Sequence, residues 1–170
     1  MIVRRLLPEE ARIAVRDLAG VLMDCVAGGA SIGFMANLTP AEAEGFWKGV
    51  AAGLQAGGRT LFVAEDDDGI CGTVQLVPAA MPNQPHRADI AKMMVHRRAR
   101  HRGAGGMLLQ AAEAHARMRG FTLLVLDTVT NSDAARLYEQ HGWVRSGDIP
   151  NYALFPDGRL CSTTVYYRQI

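Results

Sequence analysis

The sequence predicts an α/β domain, and three observations lead to this fold class. Helical and strand patterns alternate along the 170 residues, as expected for helices packed against a sheet. Phe121–Leu126 is apolar at both odd and even positions, which predicts a central strand covered on both faces. A glycine-rich loop, Arg100–Gly106, connects an apolar strand to an amphipathic helix. A chain of this length suits one domain with a sizeable core.

The amino-terminal part predicts one strand and two helices. A short strand covers Ile2–Leu6, and a helix over Pro8–Val26 begins with proline at its permitted position. The segment Gly28–Leu38 is too rich in glycine for a stable helix and too apolar for an ordinary surface loop. A second helix, Thr39–Ala56, opens with the threonine and glutamate spacing of a capping box.

The middle of the chain predicts three strands. Arg59–Glu65 and Ile70–Val77 flank Asp66–Gly69, which is typical of a hairpin turn. Contiguous aspartates before a turn glycine predict solvated turn residues rather than a metal site. After a proline-rich loop, a further strand covers Arg87–Val95.

The carboxy-terminal part predicts two helices and three strands. The helix that follows the glycine loop ends at Gly120, and the apolar strand described above comes next. Capping residues then precede a short helix, Ala134–His141, and two more strands lie near Trp143–Ser146 and Ser162–Arg168. The predicted order is therefore β-α-α-β-β-β-α-β-α-β-β.

Composition narrows the functional class. The chain is 49% hydrophobic and 21% charged, and its net charge of +1 gives no general attraction to nucleic acid. Three widely spaced cysteines favour a reducing compartment over a disulfide scaffold. No apolar segment approaches the length needed to span a membrane, and the amino terminus lacks a secretory pattern. We expect a cytoplasmic protein that binds neither membranes nor nucleic acid.

The glycine-rich loop is suited to bind a pyrophosphate. Its sequence has the form R-x-x-G-x-G, in which glycines allow a close approach of the backbone and arginines add permanent charge. The helix that follows presents unpaired N–H groups at its first turn. Neither a P-loop nor a Rossmann fingerprint is present. From the loop alone, a tight turn that binds nothing remains an alternative.

A second motif lies about 30 residues after the loop. It has the form N-x-x-A-x-x-x-Y-x-x-x-G-[FW], carried by Asn131, Ala134, Tyr138, Gly142 and Trp143. With both motifs in this order, the chain resembles the GNAT superfamily of acyl-CoA-dependent N-acyltransferases along its whole length. The resemblance implies a single GNAT domain with a mixed sheet of about seven strands, splayed between the fourth and fifth strands. It also implies a homodimer.

Two further segments indicate a subgroup. Gly28–Met35 and Pro156–Leu160 are similar to segments of tabtoxin resistance protein-like acetyltransferases. This likeness implies a small amino-acid-like acceptor, such as a β-lactam toxin or antibiotic. It does not identify the acceptor, because substrate loops diverge faster than the scaffold.

The resemblance also implies a set of site residues, with acetyl-CoA as co-substrate. Tyr138 would protonate the departing thiolate, although aromatic residues at helical spacing are often core residues. The residues implied to bind acetyl-CoA are Met93, Met94, Val95, Arg100, His101, Arg102, Gly103, Ala104, Gly105, Gly106, Asn131, Ala134 and Tyr138. The residues expected to wall the acceptor pocket are Phe34, Met35, Tyr152 and Phe155, for which ordinary packing is an equal alternative.

Two aspartates are the candidate bases or amine-binding groups. Asp127 ends an apolar strand, where a carboxylate is costly unless it has a function or a partner. Asp89 lies early on the neighbouring strand, so the two carboxylates are expected to face each other across the cleft. The alternatives are that Asp127 caps a turn and that Asp89 is a surface residue.

The predicted function is direct transfer of acetyl from acetyl-CoA to a primary amine. Two alternatives remain open: an acetyltransferase for another amine or a protein amino terminus, and a non-catalytic regulator that binds acyl-CoA. The histidines and cysteines show no metal-ligand spacing, and no metal site is predicted.

Overall fold

The computed structural model describes residues 1–170 and contains seven strands and five α-helices. The strands are β1 (Ile2–Leu6), β2 (Thr60–Asp66), β3 (Gly69–Pro78), β4 (Arg87–Val95), β5 (Leu123–Val129), β6 (Val144–Leu154) and β7 (Leu160–Gln169). The helices are α1 (Pro8–Ile13), α2 (Val15–Ala27), α3 (Pro40–Gln55), α4 (Ala104–Met118) and α5 (Asp133–Gln140). A single 3₁₀ turn, Arg97–Ala99, precedes the glycine loop.

All seven strands belong to one mixed sheet in the order β1-β2-β3-β4-β5-β7-β6. Every neighbouring pair is antiparallel except β4 and β5, which run parallel. The predicted fold class is confirmed, and the order of elements agrees with the prediction except that the first predicted helix is divided into α1 and α2. No helix of the chain combines the length and apolar character that crossing a bilayer requires.

The sheet opens between β4 and β5. The two strands pair only from Arg87 to Asp89, where Asp89 lies opposite Val125. Beyond this register the strands have no mutual pairing, so the facing backbone edge of β4 borders a gap instead of a neighbour. The splay between the fourth and fifth strands is confirmed.

A bulge in β4 accompanies the splay. Thr73 of β3 lies opposite Met94, and Gln75 lies opposite Ala91, so two residues of β4 face one residue of β3. Lys92 is in this bulge with a φ of 49°, a backbone conformation that residues other than glycine seldom adopt. Bulges bend and twist a strand locally, and this one lies in the segment of β4 that separates from β5.

Two apolar layers cover the sheet. Helices α1, α2 and α3 cover one face, where Leu18, Leu22 and Trp47 are completely buried. Helix α4 covers the other face through Leu108 and Leu109. Burial of this kind contributes about 25 cal/mol per Å² of apolar surface, and it fixes the strands that border the gap.

Three element boundaries differ from the sequence-based prediction. The first helix is interrupted at Ala14, although alanine favours helix and nothing local predicts the break. Strand β5 starts at Leu123 rather than Phe121, because the Phe121 N–H bonds the Ala116 carbonyl and closes the end of α4.

Strand β6 is much longer than the predicted Trp143–Ser146. It continues through Pro150 and Asn151, with irregular pairing to β7 between Ile149 and Ala153. A proline is tolerated there because β6 is the edge of the sheet and its outer N–H groups need no partner.

Candidate active site

The gap between β4 and β5 forms a cleft of about 1080 Å³. It is bordered by β4, the glycine loop, β5, α5 and the segment Ala30–Gly33. The predicted site residues that line it are Met93, Met94, Val95, Arg100, His101, Gly103, Ala104, Gly105, Gly106, Asp127, Ala134, Tyr138 and Tyr152. The predicted site residues that do not line it are Phe34, Met35, Asp89, Arg102, Asn131 and Phe155.

The glycine loop ends at the amino terminus of α4. Gly103 is the residue before the helix and has a φ of 84°, which a side chain would strain. The first residues of α4 border the cleft, so their unpaired N–H groups are available to an anion. Arg100 instead turns back, and its Nε donates to the Val95 carbonyl at 3.2 Å.

The second and third glycines of the loop border the cleft and also meet a packing constraint. A Cβ on Gly105 would lie 2.9 Å from Leu137 Cδ2, and a Cβ on Gly106 would lie 2.9 Å from His141 Nε2. Both neighbours lie at α5 or directly after it. These glycines therefore allow α4 and α5 to pack closely, which ties the anion-binding loop to the helix that carries Tyr138.

The aspartate turn is also more than a solvated turn, which corrects the prediction for Asp66. Its side chain is only 7% exposed and bonds the Arg98 guanidinium at 3.0 Å. Arg102 lies 3.5 Å from the same carboxylate. The hydrogen bond from Arg98 lowers the pKa of Asp66. Asp66 thus holds two of the arginines next to the glycine loop in place.

Asp127 lies on β5 just beyond the point where β4 and β5 separate. The side chain is exposed, and the Thr163 hydroxyl donates to its Oδ2 at 3.0 Å. Asp127 takes part in none of the ion pairs of the chain. Its negative charge is therefore uncompensated and faces the cleft.

Asp89 is placed differently from the prediction. It lies opposite Val125, two residues before Asp127, so both aspartates are on one face of the sheet. Its carboxylate is bound to Arg87 at 2.7 Å instead of lining the cleft. Burial raises the pKa of Asp89, Arg87 opposes this shift, and the charge of Asp127 adds to it. The two carboxylates influence each other, but only Asp127 faces the cleft.

Tyr138 lies on α5 and is 4% exposed. Its ring packs between Trp143 and Tyr166, with centroid distances of 5.7 and 6.2 Å. Burial raises the pKa of Tyr138, and the charge of Asp127 adds to this effect. The hydroxyl has no hydrogen-bond partner in the chain, although Tyr138 borders the cleft. A neutral hydroxyl in this position can donate a proton to a group bound in the cleft.

Several polar residues of the cleft were not predicted as site residues, among them Lys92, Arg136 and Thr163. A signal existed for Lys92, because it alternates with Ile90 and Met94, which are both buried. The cost of placing a charge among apolar residues, which singled out Asp127, applies equally to this lysine.

The proposed acceptor residues are divided between the cleft and its surroundings. Phe34 packs edge-on against Phe46 at 5.3 Å, and Phe155 lines a separate cavity of about 210 Å³. The two segments that carry the subgroup resemblance lie close together. The N–H of Ala36, directly after the first segment, donates to the Pro156 carbonyl at 3.1 Å, and Gly29 and Pro156 line the same small cavity. The Ser31 hydroxyl donates nearby to the Leu154 carbonyl at 2.7 Å.

Comparison with known proteins identifies the family. The profile of the acetyltransferase (GNAT) domain matches residues 57–145. An uncharacterized N-acetyltransferase from the hisH–hisA intergenic region of Azospirillum brasilense is 36% identical over 115 residues, which are 66% of this chain and 67% of the relative. The chain belongs to the GNAT family of acetyltransferases.

Solved GNAT structures share the whole fold. A ribosomal-protein-alanine N-acetyltransferase from Brucella melitensis superposes with a TM-score of 0.81 at 18% identity, over 100% of both chains. The yncA protein of Salmonella typhimurium, solved with acetyl-CoA, superposes with a TM-score of 0.80 at 17% identity, over 99% of this chain and 93% of its own. At these identities the likeness concerns the fold.

GNAT acetyltransferases use acetyl-CoA, and this chain has features that fit it. The cofactor carries a pyrophosphate, which the N–H groups at the start of α4 and the adjacent arginines can bind. Its extended pantetheine arm needs backbone partners, and the unpaired edge of β4 borders the cleft. No group of three or more histidine, cysteine, aspartate or glutamate side chains is arranged to hold a metal ion.

Proposed function

We propose that this GNAT enzyme transfers acetyl from acetyl-CoA directly to the primary amine of a small, amino-acid-like acceptor. One observation carries the proposal: a carboxylate without an ion-pair partner, Asp127, and the unbonded hydroxyl of the largely buried Tyr138 border the same cleft as the glycine loop. The two groups are of the kinds needed at the two ends of the reaction, since an amine must lose a proton and a thiolate must gain one.

Asp127 receives the amine. Thr163 occupies Oδ2, which leaves Oδ1 for the acceptor. An ordinary aspartate is a weak base for an ammonium whose pKa is near 10, so Asp127 orients the amine and accepts its proton directly or through water. Asp89 does not contact the acceptor. Its charge, which is balanced by Arg87, lies on the same face of the sheet as Asp127 and influences that carboxylate.

Tyr138 supplies the proton for the thiolate. Burial raises the pKa of Tyr138, so the hydroxyl keeps its proton throughout the physiological pH range. Its lack of an internal partner leaves it free to donate into the cleft. The neighbouring Tyr166 is not available for this, because its hydroxyl already donates to Glu139 at 2.7 Å.

Acetyl-CoA supplies the activated acyl group when it is bound. The chain would hold its pyrophosphate on the loop Arg100–Gly106 and its pantetheine arm along Met93–Val95. Asn131 is exposed, with a φ of 59°, directly before the caps of α5. The contact proposed for Asn131 is with the pantetheine arm of acetyl-CoA, near the amide bonds of that arm.

The proximity of Gly28–Met35 and Pro156–Leu160, next to the Ala36–Pro156 hydrogen bond, supports a compact acceptor site beside the part of the cleft that Ser31 and Gly33 border. Tyr152 borders the cleft on the same side. The subgroup resemblance of these two segments makes β-lactam amino acids one acceptor class to test. The homodimer implied by the family is a separate proposal, for which sedimentation equilibrium is the test.

Incubation with acetyl-CoA and a panel of primary amines tests the proposal. The panel should contain amino acids, β-lactam amino acids, polyamines, aminoglycosides and peptides with free amino termini. Release of free thiol together with an acetylated small acceptor is the expected result. Binding of acetyl-CoA without release for any amine would instead indicate a regulator, and selective peptide acetylation would indicate a protein acceptor.

A further inference from the structure

Lys92 occupies an unusual position in the cleft. The β4 bulge holds its backbone at a φ of 49°, and the Thr73 hydroxyl bonds its carbonyl at 2.9 Å. A left-handed backbone conformation is sterically unfavourable at a lysine. It persists only where the surrounding structure enforces it, and such positions cluster at functional sites.

The ammonium of Lys92 has donor capacity that the protein does not use. Its Nζ donates to the Ile32 carbonyl at 2.8 Å and lies 5.6 Å from the ring centres of Phe34 and Phe46. Lys92 takes part in none of the ion pairs of the chain. An ammonium has three N–H donors, so two are left by the single hydrogen bond to Ile32.

The surroundings of Nζ are open to a ligand. A Cβ at Gly33 would lie 3.3 Å from Nζ, so the glycine keeps side-chain atoms away from the charge. Both Lys92 and Gly33 border the cleft. Burial lowers the pKa of Lys92, and the charge of Asp127 opposes this shift, which indicates that the two groups interact.

The other charged groups that border the cleft are already paired or belong to the donor end. Arg136 is bound to Asp133, Arg100 is bound to the Val95 carbonyl, and His101 lies in the glycine loop. At the acceptor end, this leaves one anion, Asp127, and one cation, Lys92, neither of which is in an ion pair within 4.0 Å. Such a pair complements a zwitterion.

We infer that Lys92 binds a carboxylate of the acceptor, so that the enzyme selects amines that also carry a carboxylate. The acceptor ammonium would lie at Asp127 and the acceptor carboxylate at Lys92, as in an amino acid. This inference rests on the proposed function and makes Lys92 a specificity-determining residue for it.

The test compares matched acceptors with and without the carboxylate, and kcat/KM is expressed per unprotonated amine because amidation also lowers the pKa of the neighbouring amine. The probes are the standard α-amino acids, β-alanine and their carboxamides, each assayed with acetyl-CoA by thiol release. The wild-type enzyme should prefer the carboxylate in a matched pair. Lys92→Met should lower kcat/KM for the amino acid about 10- to 100-fold, as expected for one charge-assisted hydrogen bond, and should leave the carboxamide nearly unchanged.

Lys48→Met is the matched control, because Lys48 is an exposed lysine on α3 that is 3.7 Å from Glu44. Lys48→Met should change kcat/KM for neither acceptor. An equal loss for both acceptors in Lys92→Met would show a structural role and overturn the inference. So would a wild-type preference for carboxamides, a result that needs no variant. If the enzyme binds acetyl-CoA but acetylates no amine at all, the proposed function itself fails.

Discussion

Tyr138 and Tyr166 pack with ring centroids 6.2 Å apart, but only the Tyr166 hydroxyl has a hydrogen-bond partner, Glu139. Burial raises the pKa of both side chains, that of Tyr166 to about 12. The hydroxyls of Tyr138 and Tyr166 therefore have different roles, although the two rings pack in the same core. One stabilises the contact between β7 and α5, and the other is free to serve a group in the cleft.

This difference leads to a paired prediction. Tyr138→Phe should lower kcat about 100-fold, the usual contribution of a proton donor, with little loss of stability because no internal hydrogen bond is broken. Tyr166→Phe should keep kcat and lose about 1 kcal/mol of unfolding free energy. Steady-state kinetics and chemical denaturation measure both. Equal turnover in the two variants would remove Tyr138 from the reaction.

Asp127→Asn should lower kcat/KM for the amine about 100-fold. The asparagine oxygen can still accept from Thr163, so the fold should be retained. Asp133→Asn is the control, because Asp133 also borders the cleft but is paired with Arg136. Wild-type kinetics in Asp127→Asn would be incompatible with the role proposed for this carboxylate.

The glycines at the start of α4 predict a stability effect. Gly106→Ala should cost about 1 kcal/mol through overpacking against the His141 ring, which its own hydrogen bond with the Leu137 carbonyl holds in place, and should raise the KM for acetyl-CoA. Gly105→Ala meets only the end of the flexible Leu137 side chain and should cost less. Gly49→Ala on α3 meets nothing within 4 Å, so it should stabilise the protein by about 0.5–1 kcal/mol. Thermal unfolding distinguishes the two cases, and a stabilising Gly106→Ala would contradict the packing argument.

Arg102 should act on the pyrophosphate alone. Arg102→Gln is expected to raise the KM for acetyl-CoA about 10-fold, in line with the loss of one charged hydrogen bond. It should not affect an acetyl-pantetheine thioester that lacks the pyrophosphate. Arg12→Gln, which alters an exposed pair with Glu9 on α1, is the control. An equal rise in KM for acetyl-CoA and for the acetyl-pantetheine thioester would show that Arg102 does not act through the pyrophosphate.

The pKa of Lys92 predicts a pH effect on acceptor binding. Burial lowers the pKa of this ammonium, so its charge is present at low pH and is lost as the pH rises through that lowered value. The KM for an amino-acid acceptor should therefore rise at alkaline pH in the wild type. In Lys92→Arg the charge persists, so the ratio of wild-type to variant KM should increase with pH. Titration of the acceptor amine affects both enzymes equally and therefore cancels in this ratio. A ratio that stays constant with pH would contradict the role of the Lys92 charge.

Much of the fold could be predicted from the sequence because hydrophobic periodicity and capping residues are local signals. The capping box at Thr39 is present as expected, with both reciprocal hydrogen bonds. The break at Ala14 and the long strand β6 have no such local signal, since they depend on how the segments pack. The splay between β4 and β5, which opens the cleft, was implied by family resemblance rather than by periodicity, and the end of the pairing at Asp89 was not predicted.

Residues of the cleft could be predicted where a sequence motif or an unusual charge marks them. The glycine loop, Asp127 and Tyr138 do border one cleft. Asp89 was expected to face it too, but the adjacent Arg87 binds that carboxylate. Lys92 was missed because a lysine within a strand suggests a solvated face, whereas the bulge turns it toward Ile32. The orientation of side chains such as Asp89 and Lys92 depends on tertiary contacts, which sequence patterns do not predict.

The most direct test of the central claim is thiol release from acetyl-CoA in the presence of small primary amines, with mass-spectrometric identification of the acceptor product. The account predicts an N-acetylated amino-acid-like product that forms with the wild type and is strongly reduced with Asp127→Asn. If the wild type binds acetyl-CoA and yields no acetylated small amine, or if Asp127→Asn acetylates as fast as the wild type, the account is contradicted.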